Sequence, residues 1–104
     1  MKNMDRQKRE IAGWRKRIDK IDRNIVLQLN KRAFCVNEIG LAKKQIGINV
    51  YSPKRENQVL RNVAAVNKGP FSNRAIREIF SCIMLESRKF EHVKQKKKTK
   101  NINK

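Results

Sequence analysis

The chain is poor in the residues on which most enzyme chemistry depends. Its 104 residues include two cysteines, one histidine, four glycines, two prolines and only 6% aromatics. Cys35 and Cys82 lack CxxC or metal-ligand spacing, and His92 has no imidazole partner, so the sequence offers neither a zinc site nor a histidine-based triad. Both thiols read as buried and reduced. No glycine-rich loop is present to cradle a phosphate. No run of about 18 apolar residues could cross a membrane, and the charged start, Met1 to Glu10, leads into helical periodicity rather than a signal-peptide core. The expected location is the cytoplasm, and no cofactor, metal or membrane is expected as a partner.

Acids are scarce too. Nine Asp and Glu face 27 Lys and Arg, a net charge of +18. Six of the lysines lie between Lys94 and Lys104, where Ile102 is the only apolar residue. Such a segment cannot bury apolar surface, so residues 94–104 are expected to form a disordered tail behind a single domain, residues 1–93. Attraction of that tail to polyanions would be nonspecific, because neutralising phosphate needs lysines and no geometry. No recognition helix or aromatic stacking platform is evident, so no specific nucleic-acid partner is expected.

What the chain does have is helical period. Ile11, Trp14, Ile18, Ile21, Ile25, Leu29, Ala33, Val36, Ile39 and Ala42 recur at spacings of three and four, with no proline between Asp5 and Lys44. At about 1.5 Å per residue this one helix reaches about 60 Å, longer than a compact domain of this size is wide, so part of it must pack on something outside the chain. A composition of 38% hydrophobic residues is lean for a self-sufficient core and argues the same way, for an oligomer. Gly47 and Asn49 break the period, and Ser52-Pro53 reads as an N-cap with proline at the first helical position. The second helix carries Val59, Leu60, Val63 and Val66, and Asn67-Lys68-Gly69-Pro70 is a turn. Phe71 and Ser72 fit a hydrophobic staple and N-cap for a third helix through Ile79, Phe80, Ile83, Met84 and Phe90. The expected fold is all-α, with a three-helix protomer.

Seven polar side chains fall where these helices should be apolar: Arg15, Arg32, Lys43, Arg55, Glu56, Ser87 and Glu91. Taken singly, most have plain explanations. Arg15 and Arg55 read as solvated salt-bridge members, Ser87 as a hydroxyl bonded back to its own helix, and Glu56 as a first-turn carboxylate favoured by the helix dipole. As a group they suggest a small anionic ligand held between helices, since several cations share the interior with few acids. Arg32 and Lys43 are eleven residues apart, about three turns, so both project from one face and form a clamp. Ser87 and Glu91, an i, i+4 pair, would line the opposite wall. Arg15 lies about 25 Å before Arg32 and is rotated about 100° from it, so it would have to reach the site of a second copy.

The segments Trp14-Arg15-Lys16-Arg17-Ile18-Asp19-Lys20-Ile21-Asp22, Leu29-Asn30-Lys31-Arg32, Glu38-Ile39-Gly40-Leu41-Ala42-Lys43, Tyr51-Ser52-Pro53-Lys54-Arg55-Glu56 and Asn67-Lys68-Gly69-Pro70-Phe71-Ser72 resemble, in order and spacing, the all-helical (type II) chorismate mutase family. The resemblance covers about residues 11 to 93. It implies an intertwined homodimer and the unimolecular rearrangement of chorismate to prephenate in aromatic amino acid biosynthesis, a reaction that needs no nucleophile, metal or redox cofactor. Holding a compact conformer and stabilising charge on the breaking ether oxygen is what remains for the protein to do.

The resemblance also implies roles. Arg32, and Arg15 from the other subunit, would grip the side-chain carboxylate; Lys43 would bridge that carboxylate and the ether oxygen, and Glu91 would face the ether oxygen. Arg55 would bind at the start of the second helix, Glu56 would accept the substrate hydroxyl, and Ser87 would assist a carboxylate. Ser52 stands where many relatives carry Asp; N-capping survives, and a side-chain contact made by Asp is lost. Glu91 must be protonated to donate to the ether oxygen; burial raises its pKa and Lys43 lowers it, and the sequence leaves open which is larger. An isochorismate pyruvate-lyase-like enzyme and a noncatalytic dimeric regulatory or polyanion-binding module are the alternatives. Docking onto another aromatic-pathway enzyme is a possible further partnership.

Overall fold

The computed structural model describes residues 2–102, with side chains for residues 2–91. The described residues form three helices, α1 (Lys2–Gln45), α2 (Pro53–Val66) and α3 (Asn73–Ile102), and no strand. The all-α reading and the very long first helix are therefore as expected. The expectation of a disordered lysine-rich tail falls outside the residues whose side chains are described. The chain divides into two compact units, residues 1–32 and 33–104.

The first unit is helix alone. Nothing in Lys2 to Arg32 interrupts the backbone ladder, and the exposed i, i+4 pair Arg6–Glu10, 3.6 Å apart, adds a few tenths of a kcal/mol at most. Arg17 lies over the Trp14 ring, 4.9 Å from its centroid. The apolar stripe is uncovered: Ile11, Trp14, Ile18 and Ile21 are 49–59% exposed. Most of the stability of an amphipathic helix comes from burying that stripe, so the period read from the sequence finds no cover within this unit.

The second unit is held by caps and by α2 packed on α3. At the end of α1, Ile48 N–H donates to Lys43 O at 2.9 Å and Gly47 N–H to Lys44 O at 3.2 Å. This is the Schellman pattern, which needs a left-handed residue, and Gly47 supplies it at φ 72°. Ser52 caps α2 as expected, its Oγ accepting from Arg55 N–H at 3.2 Å ahead of Pro53. Asn67 shapes the next turn: its Nδ2 donates to Phe71 O and Asn73 Oδ1, both at 2.8 Å, and its Oδ1 accepts from Gly69 N–H at 3.1 Å. Ser72 then caps α3 by accepting from Ala75 N–H at 3.1 Å. Phe71, the expected staple, remains 62% exposed.

Val59, Leu60, Val63 and Ala64 of α2 and Ile76, Phe80 and Ile83 of α3 are half-buried. Among the described residues Met84 is the buried apolar one, beside the polar Asn37 and Glu91. The thiols correct an expectation, because Cys35 and Cys82 are both exposed. Each precedes a buried residue, Asn37 or Met84, by two positions, which turns it about 200° away around the helix.

Candidate active site

The second unit contains six of the expected site residues: Lys43, Ser52, Arg55, Glu56, Ser87 and Glu91. Lys43 occupies the last turn of α1, where its own carbonyl accepts the helix-stopping bond from Ile48. Its half-buried ammonium donates to Val50 O at 3.3 Å. The Gly47 stop thus fixes the backbone from which this cation projects and folds the next segment back toward it.

Glu91 is 8% exposed on α3, and its Oε2 is buried with no hydrogen-bond partner among the described residues. Burial pushes its carboxyl above the ordinary glutamate range, and the charge of Lys43 opposes that shift less strongly. The balance left open by the sequence therefore falls toward the protonated acid. A buried oxygen without a partner costs about 1–3 kcal/mol, which a ligand atom at that point would relieve.

Ser87 stands one turn before Glu91 and donates to Ile83 O at 2.9 Å, the back-bonding anticipated for an isolated helical serine. Ser52 spends its oxygen on the cap, and the exposed Arg55 donates from Nη1 to Gln58 Oε1 at 2.9 Å. Glu56 is half-buried and joined to Arg88 of α3 by an ion pair between Oε2 and Nη1. Arg88 also lies over the Tyr51 ring, 5.3 Å from its centroid. The hydrogen bond that it donates to Glu56 holds the guanidinium still more firmly in its charged form. Arg15, exposed, and Arg32, half-buried, belong to the first unit.

Arg88 and Tyr51 are the residues that reasoning from the sequence passed over. A signal existed for Arg88: it lies four residues after Met84 and three before Glu91, so it extends the inward stripe of α3 with a cation. Tyr51 had only its place at the head of the Tyr51-to-Glu56 segment, before the Ser52 cap, which assigned it no role.

Among the described residues, helices that carry cations beside a buried acid whose carboxyl is raised above the ordinary glutamate range define an all-helical class of protein suited to holding an anion by charge and hydrogen bonds. A profile of the family described as chorismate mutase type II matches residues 14–92. A bifunctional chorismate mutase/prephenate dehydratase from Aquifex aeolicus is 34% identical over 88 residues, 76% of this chain and 24% of that protein. One of the same description from Pseudomonas aeruginosa is 31% identical over 87 residues, 74% of this chain and 24% of its own length. A solved chorismate mutase (Form II) from Thermus thermophilus superposes with a TM-score of 0.77 at 36% identity, covering 80% of this chain and 94% of that one. The chain belongs to the chorismate mutase type II family. It spans about a quarter of the length of the curated relatives it matches.

Proposed function

We propose that the chain rearranges chorismate to prephenate, by restraining the substrate in a compact conformer and stabilising the charge that grows on its ether oxygen. The observation that carries this reading is Glu91, a buried carboxyl with an unsatisfied oxygen, raised toward its neutral form in a site that also holds Lys43. A neutral acid and an ammonium are the two hydrogen-bond donors that a developing oxyanion needs. Lys43 binds the side-chain carboxylate and the ether oxygen together, and Arg32, eleven residues earlier on α1, grips the same carboxylate. Glu56 accepts the substrate hydroxyl; Arg55, Ser87 and the Ser52 cap complete the binding surface. Arg15 acts in the site of a second copy, whose α1 also covers the exposed Ile11–Trp14–Ile18 stripe. The cytoplasm is the compartment proposed for the reaction, and docking on another enzyme that handles aromatic precursors is compatible with it.

The test is incubation of the purified chain with chorismate and, separately, with isochorismate, following the loss of absorbance and identifying the product. Prephenate is expected. Release of pyruvate from isochorismate without prephenate formation would point to a lyase, and absence of turnover by folded protein would point to a noncatalytic module.

A further inference from the structure

Glu56 presents an electrostatic difficulty. In the proposed site it must lie beside a substrate bearing two carboxylates, and like charges a few ångströms apart in a partly dry site repel strongly. Its side chain is also long enough to swing among rotamers, which would blur any hydrogen bond to a substrate hydroxyl. The structure supplies a group that meets both needs. Arg88 reaches from α3 to α2, 32 residues along the chain, and bonds Glu56 Oε2. Its guanidinium is in turn backed by the Tyr51 ring from the segment before α2. Both partners of the pair are only partly exposed, 37% for the Arg88 side chain and 24% for that of Glu56, so solvent screens them less than an ordinary surface pair.

We propose that Arg88 is a positioning residue for the reaction: it neutralises Glu56, holds the carboxylate by one oxygen, and leaves Oε1 free to accept the substrate hydroxyl. Arg88 itself does not touch substrate. Tyr51 completes the device by setting a π face against the guanidinium, a contact that a lysine makes less well. This inference rests on the chorismate reading and deepens it, because it explains how an acidic residue is accommodated in a site for a dianion.

The test is a double-mutant cycle on the full chain, with kcat and KM for chorismate measured for wild type, Arg88→Ala, Glu56→Gln and the double variant, and folding checked by helicity and thermal melting. A bond to a hydroxyl that exists in both ground and transition states is lost mainly in KM, so Arg88→Ala should raise KM about tenfold and change kcat less than about threefold. In the Glu56→Gln background the same change should raise KM by less than about twofold, because the partner through which Arg88 acts is already gone. Arg88→Lys should recover part of the lost affinity. If Arg88→Ala costs as much in both backgrounds, Arg88 binds substrate directly; if it lowers the melting temperature and leaves KM unchanged, its role is structural. Either result overturns the proposal while wild-type turnover keeps the chorismate reading intact. A folded wild type without turnover removes both.

Discussion

Glu91 is useful to an oxyanion only while it holds a proton, so its titration should be visible in the rate. Its pKa is raised in the folded chain, chiefly by burial and against the pull of Lys43. The protonated form is therefore favoured by folding: the stability linked to it is complete below the ordinary glutamate range and is lost as pH rises through the raised value. Turnover should fall across that same window, whereas Glu91→Gln, which donates without titrating, should give a flat profile there. Profiles of kcat/KM against pH for the two proteins check this, and parallel profiles would remove Glu91 from the mechanism. Lys43 makes a different claim. Lys43→Ala should reduce turnover at least a hundredfold, about 3 kcal/mol, since it deletes a charged donor whose bond tightens as the ether oxygen gains charge. Among the described residues its ammonium is held by the 3.3 Å contact to Val50 O, so the loss in stability should be about 1 kcal/mol or less by urea titration. Both residues were legible in the sequence as polar breaks in apolar stripes. The direction of the Glu91 shift was not, because it depends on how much water α3 loses at that one position.

Among the elements, the helix boundaries were the most legible feature. Ser52 followed by Pro53, and Ser72 after the Gly69-Pro70 turn, are local chemistry, and local chemistry sets where each helix starts. The stop of α1 combines such a signal with a functional consequence. Gly47 at φ 72° closes the Schellman bonds that fix the backbone of Lys43, so Gly47→Ala should cost about 1–2 kcal/mol in chemical denaturation and should also lower turnover, although residue 47 touches no substrate. An unchanged denaturation midpoint would show that the turn adapts without strain. Cys35 and Cys82 are exposed although cysteine is usually buried, because helix phase overrides that preference: each is turned about 200° from the buried residue two positions on. The Arg88–Glu56 pair was missed for a related reason. It joins α2 to α3 across 32 residues, and no periodicity within one helix reports a contact of that kind.

For the whole molecule, the central claim is that the site is assembled from two chains. The apolar stripe from Ile11 to Ile21 is exposed in the single chain, and Arg15 lies on the same helical segment, so a partner that covers the first would be in position to receive the second. The length of α1 made this need visible in the sequence; which surface meets which could not be read, because pairing depends on the partner's face as well as this one. Mixing two inactive variants tests it most directly. Arg15→Ala and Arg32→Ala should each inactivate their own homodimers, whereas a mixed dimer collects both lesions in one site and leaves the other intact. With complete exchange at equal amounts, half the dimers are mixed and half their sites are whole, so about one quarter of wild-type chorismate turnover should return. If the subunits demonstrably exchange and turnover stays at the level of the separate variants, Arg15 does not act across an interface and the two-chain site is wrong.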